Sequence, residues 1–531
     1  MTSKDFDYIV VGAGTAGCVV AARLSEDPSV RVALIEAGGT DTRPDVMIPG
    51  AASLLHRSSA DWKLYTEPMS GLRGRRIYYP RGKVVGGSGS TNTLIYMRGA
   101  REDYDGWQRD GADGWGFDDV LPFFKRAERC LFEDADPALQ GKHGPLPVIR
   151  PSWSHPLWHA FVQAGVACGL PHNNDFNRHS IEGVGLFQFN IENGLRMSTA
   201  RAYLSPARKR SNLEVVTGAT AQTLLFESRR CVGVQLRRGR EIEQLRARRE
   251  VLLCAGAIAS PQLLMFSGIG PAEHLVNMGR PVVLDQPMVG EQLHDHPLLP
   301  MSDLGGARTI NSTFTDVLPV VNYLTKRDGP LSVPMPGAGG FARTNQNESR
   351  PDVQFHFAAG WTHNLYDLQE LPKEDGYTIC VTVCRPRSRG RLRLGGTLAV
   401  DPPVIELNYF EHADDLETMV RGVRLAQKIF DAAPFDAHRK RPNRPDKRLS
   451  TDDEIESFIR LGCESNYHPV GSCRMGREGE SVVDASLRVR GIESLRVIDG
   501  SVMPSITTGN TNAPIVMIAE KGADLVKQAR S

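Results

Sequence analysis

The chain has 531 residues and a mass of 58.4 kDa, more than one hydrophobic core usually organises, so a single small binding module is excluded and roughly two to four structural units are expected. Its 63 Lys and Arg balance 62 Asp and Glu to a formal charge of +1. No field of the whole molecule therefore draws in nucleic acid or an anionic membrane, and any partner has to be argued from local sites. Hydrophobic residues at 40% and charged residues at 24% are ordinary for a globular chain, while 52 Gly and 34 Pro point to many tight turns rather than a long helical bundle.

The nine cysteines are scattered, odd in number and without paired metal-ligand spacing, so neither a disulfide scaffold nor a zinc site is expected. The opening Met1 to Gly12 carries acidic residues ahead of a short apolar strand, unlike a basic secretory leader. These features predict a reduced, cytoplasmic protein. No apolar run approaches the roughly 20 residues that cross a bilayer, so no transmembrane segment is expected.

In chain order, the first pattern is a strand at Tyr8 to Val11, a helix from about Ala16 to Ser25 and a second strand at Val30 to Ile35. The intervening turn reads Gly12-Ala13-Gly14-Thr15-Ala16-Gly17. Its glycines suit a tight reversal, close backbone approach to a pyrophosphate and close packing of helix on strand. Glu36 ends the second strand, where a carboxylate can accept hydrogen bonds from ribose hydroxyls. Together these predict a dinucleotide site. Later strands are predicted at Leu213 to Thr217, Glu250 to Cys254 and Leu495 to Ile498. If they complete the first sheet, the nucleotide domain is discontinuous. Between about 300 and 455, alternating stretches such as Asp352 to Phe357 and Tyr377 to Val383 predict an antiparallel cap sheet. The basic stretch His438 to Arg448, broken by prolines, reads as a solvated loop and not as a nucleic-acid site.

Four segments resemble the glucose-methanol-choline (GMC) family of FAD-dependent oxidoreductases, and together they reach from one end of the chain to the other. The first is the N-terminal βαβ unit. The second runs Gly82-Lys83-Val84-Val85-Gly86-Gly87-Ser88-Gly89-Ser90-Thr91-Asn92 and is similar to the family's flavin-contacting loop. A run of glycine and serine also lets backbone N–H groups approach a polar ring or phosphate. The third, Gly256-Ala257-Ile258-Ala259-Ser260-Pro261-Gln262-Leu263-Leu264, resembles a second signature with a mainly structural role. Nearby His294-Asp295-His296 has no third ligand at zinc-like spacing, so no metal is predicted, and the family uses a similar element as framework.

The fourth segment, Asn466-Tyr467-His468-Pro469-Val470-Gly471-Ser472-Cys473-Arg474-Met475-Gly476, carries the mechanism that the resemblance implies. His468 takes the alcohol proton while the carbinol hydrogen leaves as hydride for flavin N5. Histidine suits that task because it titrates near neutrality. Cys473 lies in no thiol-enzyme signature. The family's second polar group falls on Asn510, with Asn512 as the fallback if the register is off by two; the structural alternative for either is capping of the following helix. The resemblance places cofactor contacts at Gly12, Gly14, Thr15, Ala16, Gly17, Glu36, Val85, Gly86, Gly87, Ser90, Asn92, Thr93, Leu94, Ala221, Asp499, Gly500 and Thr511.

Some members attach FAD through a histidine just before the loop asparagine. Thr91 stands there, which predicts noncovalent FAD. Asn466 and Glu464 make the flank of His468 polar, favouring a hydroxyl-rich alcohol, and no aromatic cage for choline is visible. His356 either faces the crevice or is a satisfied core histidine. The expected fold is an α/β plus α+β chain: a discontinuous Rossmann-like FAD domain (1–155, 204–300 and 456–531) with an antiparallel substrate cap (156–203 and 301–455). The expected reaction is oxidation of a primary alcohol or a sugar or polyol hydroxyl, with oxygen or a quinone-type carrier as acceptor. The alternatives are a flavin-containing lyase on the same fold and an NAD-dependent dehydrogenase, since the first 36 residues fit either dinucleotide.

Overall fold

The computed structural model describes residues 4–363 and 371–529. Strand β1 (Lys4–Val11) runs into helix α1 (Thr15–Leu24) and strand β2 (Val32–Glu36), the βαβ unit expected from the sequence. Tyr8 to Val11 of β1 and Val32 to Ile35 of β2 are apolar and buried because α1 and the rest of the molecule cover both faces of a parallel sheet. The chain then supplies β3 (Gly183–Leu186) to a second sheet and returns with β4 (Leu213–Thr217), which pairs in parallel with β2. Strands β5 (Ala219–Glu227), β6 (Arg230–Arg238) and β7 (Glu241–Leu253) form an antiparallel meander. The far end of β7 then pairs in parallel with β1 and leads to helix α2 (Gly256–Phe266).

The second sheet is antiparallel. It takes β8 (Pro297–Gly305), β9 (Ala338–Ala342), β10 (Val353–Ala358), β11 (Gly376–Val383), β12 (Arg439–Arg444) and β13 (Glu464–Ser465). The order is β12-β8-β11-β10-β9-β3, with β13 against β8. Helix α3 (Val317–Lys326) lies on the surface between β8 and β9, and α4 (Ala413–Asp431) packs on β11. Gly422 of α4 permits that packing, since a Cβ there would lie 2.6 Å from Val381 Cγ1. The chain finally returns to the first sheet. Strand β14 (Leu495–Val497) pairs with β7 and helix α5 (Asn512–Gln528) packs on α1. The parallel strands thus stand in the order β4-β2-β1-β7-β14, assembled from residues nearly 500 positions apart, and the discontinuous Rossmann-like architecture follows.

One expectation is corrected. The stretch His438 to Arg448 is not a solvated loop: Arg439–Arg444 pairs with β8 as an edge strand. Pro442 is tolerated there because an edge strand has no outer ladder to donate to. Arg448 then forms a two-pronged ion pair with the buried Asp303 at 2.8 and 2.6 Å. The exposed charges of the strand disguised it in the sequence.

The glycine turn is closed by contact. A Cβ on Gly17 would lie 1.8 Å from Gly12 O, and one on Gly12, at φ +98°, would lie 2.6 Å from Cys254 O. Gly17→Ala therefore forces α1 away from β1, with an expected cost of about 1–3 kcal/mol or more. A lower thermal midpoint together with a lower flavin-to-protein absorbance ratio checks this, and an unchanged pair of values rejects it.

Candidate active site

A cavity of about 510 Å³ runs between the two sheets. At one end lie Gly12, Gly14, Thr15, Ala16 and Glu36, and near the other lie His356, His468 and Asn510. Of the residues expected at the cofactor, Gly87, Asn92, Thr93, Leu94, Ala221, Asp499, Gly500 and Thr511 also line it. Gly17, Val85, Gly86 and Ser90 are not on the lining; they shape the loops from behind. Gly86, at φ +91°, donates its N–H to Ala13 O (2.6 Å), and Ser90 Oγ donates to Val85 O (2.9 Å). The two glycine loops are in direct backbone contact, since a Cβ on Gly87 would lie 2.8 Å from Gly14 Cα.

Three features suit these residues to FAD. First, no side chain caps α1 at Gly14, so its first-turn N–H groups remain available to phosphate. Second, Glu36 accepts the N–H groups of Ala13 (3.0 Å) and Gly38 (2.8 Å) through different oxygens and still borders the cavity. Burial raises its carboxyl to about 7. Third, Arg196 is only 1% exposed and donates to Val46 O (2.8 Å), Asn92 O (2.6 Å) and Asn92 Oδ1 (3.0 Å). It has no carboxylate partner among the described residues, its Nη2 is unbonded, and burial alone takes it down to about 9. A buried cation behind the Gly89 to Asn92 loop fits a group carrying negative charge on the loop's other side. No sequence signal marks Arg196 for this role. Asp499 plays a different part from a free ligand. Its oxygens are taken by Gly256 N (2.8 Å), Ser260 Oγ (2.6 Å), Ser501 N (2.8 Å) and Ser501 Oγ (2.6 Å), which tie β14 to α2.

At the far end, backbone pairing builds the reactive cluster. Residues 294–298 run antiparallel to 464–470: Pro297 pairs with Ser465, Leu298 with Glu464 and His294 with Val470. This sets His296 beside His468, with their Nδ1 atoms 2.9 Å apart. His296 Nε2 lies 2.9 Å from the Cys384 carbonyl oxygen, which can only accept, so that nitrogen carries the proton. Burial lowers His296 to about 3 and it stays neutral, leaving its Nδ1 as an acceptor. His468 Nδ1 must then donate, and the geometry assigns the bare lone pair to His468 Nε2. That nitrogen lies 3.3 Å from Asn510 Nδ2, and Gln354 Nε2 donates to Asn510 Oδ1 at 3.3 Å. Burial, seconded by the neighbouring His296, holds His468 well below the usual histidine value.

The backbone around His468 is also fixed. Buried Asp295 accepts the His468 N–H (2.7 Å) and the Tyr409 hydroxyl (2.6 Å). Tyr467 sits at φ +62°, a left-handed conformation rare for a bulky residue and common where a site holds strain. His356 borders the cavity with both ring nitrogens unbonded, so of the two readings the crevice-facing one holds. Asn512, the fallback, is engaged at the glycine turn instead, where its Oδ1 accepts from Thr15 Oγ1 at 2.9 Å. Cys473 is fully buried and its thiol is pushed up by burial, which removes it as a nucleophile. The sequence treated His294-Asp295-His296 as framework and so missed that His296 touches His468; only the strand register reveals it.

The GMC oxidoreductase profiles match residues 6–298 and 386–519. The chain belongs to the GMC oxidoreductase family. It is 40% identical over 529 residues to an alcohol dehydrogenase [acceptor] of Pseudomonas putida, covering 98% of this chain and 95% of that one. It is 39% identical over 532 residues to an oxygen-dependent choline dehydrogenase of Brucella canis, with the same coverage. Among solved structures it is similar to pyridoxine 4-oxidase from Mesorbium loti, with a TM-score of 0.89 and 32% identity over 98% of both chains. A formate oxidase superposes with a TM-score of 0.92 at 25% identity, covering 100% of this chain and 99% of that one. This GMC oxidoreductase is an FAD-dependent enzyme that oxidises alcohols to the aldehyde or ketone, and the NAD-dependent alternative is set aside.

Three outcomes follow from this geometry. Arg196→Met is expected to weaken FAD retention about tenfold or more, read by equilibrium dialysis with flavin fluorescence; unchanged affinity rejects the charge role. Flavin reduction by alcohol is expected to hold constant through neutral pH and to fall only on the acid side of the ordinary histidine value of about 6.5, as the role proposed below for a neutral His468 requires. His296→Ala admits water beside His468, moves that acid limb upward and slows reduction, whereas His296→Asn keeps an acceptor and restores part of the rate. Identical pH profiles for wild type and His296→Ala would show that His296 does not set the state of His468.

Proposed function

We propose that His468 is the catalytic base of this alcohol oxidation, that Asn510 orients the substrate oxygen and that His296 fixes the tautomer of His468. The observation that carries this reading is the bare Nε2 of His468 beside the Asn510 amide at the cavity wall. FAD, when bound, supplies the acceptor for the carbinol hydride. His468 Nε2 takes the hydroxyl proton, the Asn510 N–H donates to the oxygen as its charge grows, and His296 disperses part of the positive charge on the His468 ring. The same residues hold the substrate against the cofactor loops and keep bulk water from the reacting carbon. With Thr91 at the loop, FAD is held noncovalently by the residues assigned above, within the three-part domain given from the sequence.

The substrate we propose is a neutral alcohol with an apolar body, delivering its electrons to oxygen or a quinone-type carrier. Leu298, Ile310, Met335, Trp361, Leu371 and Cys380 line this end of the cavity, and no carboxylate does among the described residues contributed by the second sheet. Asp61, on the wall beside Arg81 and Tyr467, is taken up by the N–H groups of Arg57, Lys63 and Arg81 and by the Tyr78 hydroxyl, so it leaves a quaternary ammonium no free counter-charge. The polar flank read from the sequence is weaker than expected: Asn466 borders the cavity, but Glu464 is held by Arg75 at 2.7 Å and does not. The nine cysteines, all free thiols, support the reducing cytoplasmic setting expected from the sequence.

The test is anaerobic bleaching of the flavin by a series of 1-alkanols, benzyl alcohol, choline and sorbitol. Each added methylene is expected to strengthen binding about fourfold until the cavity is full, with choline and sorbitol the poorest. His468→Ala should slow bleaching about 10²- to 10⁴-fold. Choline or sorbitol as the best substrate overturns the substrate class; an unaltered rate in His468→Ala overturns the base; a flavin that no alcohol bleaches returns the lyase alternative.

A further inference from the structure

Helix α3 is inverted relative to an ordinary surface helix. Its outward face carries Val317 (70% exposed), Leu318 (81%), Val320 (44%), Val321 (47%) and Leu324 (63%). At 3.6 residues per turn these five occupy one arc of about 160°. The inward face is held by Tyr323, which is 1% exposed and donates its hydroxyl to Gly194 O at 2.8 Å. Phe314, just ahead of the helix, and Leu54, on the neighbouring 3-10 segment Pro49–Leu55, are about half exposed as well.

The charges around the stripe are unevenly placed. At its start Arg308 and Asp316 neutralise each other at 2.9 Å. At its end Lys326 and Arg327 are exposed and stand in no carboxylate pair among the described residues, with Arg327 lying over the Tyr323 ring at 5.0 Å. The acidic Asp328 follows, so that end keeps a net positive charge. The patch borders the catalytic cavity on two sides. Ile310 before the helix and Met335 after it line the cavity, as do Ser53 and Leu55 on either side of Leu54.

We propose that α3 docks this enzyme on an anionic lipid surface, with Val317, Leu318, Val321 and Leu324 entering the acyl boundary and Lys326 and Arg327 meeting headgroup phosphates. One face of a ten-residue helix falls well short of the roughly 800 Å² per partner that a stable protein interface needs. An apolar face ending in basic residues is what an interfacial helix requires. No helix among the described residues is long and apolar enough to cross a membrane, so the contact is a docking and not an anchor through the bilayer. Docking would set the rim of the cavity at the lipid boundary. The contact does not depend on the substrate class proposed above, because it is read by binding and not by turnover.

The test is co-sedimentation of the FAD-loaded enzyme with vesicles of phosphatidylcholine alone and of phosphatidylcholine and phosphatidylglycerol in equal parts, alongside size-exclusion chromatography with light scattering. The wild type should bind the anionic vesicles more tightly than the neutral ones. Leu318→Glu with Val321→Glu should lower that binding about tenfold or more, while flavin content and the oxidation of a water-soluble alcohol stay at wild-type values. Lys326→Glu with Arg327→Glu should abolish the preference for anionic lipid. Wild-type enzyme that binds neither vesicle overturns the proposal. So does a wild-type dimer that the Leu318→Glu, Val321→Glu variant dissociates, since the stripe would then be covered by a second copy.

Discussion

The site depends on one hydrogen bond, between the Nδ1 atoms of His296 and His468. Two neutral imidazoles joined through the same nitrogen can satisfy that bond in only one sense at a time, and the Cys384 carbonyl chooses the sense by accepting from the other nitrogen of His296. A proton placed on His296 Nε2 leaves the lone pair of His468 free at the cavity. The direction survives because both rings lie in a poorly solvated interior where protonation of either is disfavoured. The antiparallel register of 294–298 on 464–470 holds the rings in place, and Asp295 secures it by accepting the His468 backbone N–H.

The cofactor half obeys a different constraint, the need for two backbones to meet. Gly14 and Gly87 touch, and Gly12 lies against Cys254, so the loop after β1, the loop at residues 82–92 and the end of β7 share a space that side chains would fill. Close backbone approach gathers N–H groups at the N-terminus of α1, and Arg196 adds a buried charge behind them. An interior that stores positive charge without a carboxylate is unfavourable on its own. It becomes favourable when an anionic ligand occupies the cradle, which links cofactor binding to the stability of the loop. The near-zero charge of the whole chain is consistent with this, because the charges that matter are placed singly and inside.

The second sheet and its loops form the cavity wall opposite the cofactor loops. That wall is mostly apolar, with polar groups gathered near His468: His356 on β10, and Asn510, held from behind by Gln354. The same apolar character continues outward past Ile310 and Met335 to α3. The cavity wall at Ile310 and Met335 therefore adjoins a surface of exposed aliphatic side chains, a distribution that composition averaged over 531 residues conceals.

The sequence by itself determined the elements whose signals are local. Spacing and glycine placement located β1, α1 and β2, because a tight turn or a parallel strand is dictated by the residues within it, while the Gly82 to Asn92 loop was marked by resemblance. The motif around His468 and the position of Asn510 were singled out by resemblance to the family and not by any local structural signal. Tertiary structure alone decided which of those residues meet. His296 and His468 are 172 positions apart and Arg196 lies 104 from Asn92; no periodicity encodes such contacts, which arise only when distant strands pair. It also decided the fate of charge. Glu464, predicted to make the site polar, is neutralised by Arg75, and the basic run at 439–444 is an edge strand, because the partners that cancel or pair them come from elsewhere in the chain.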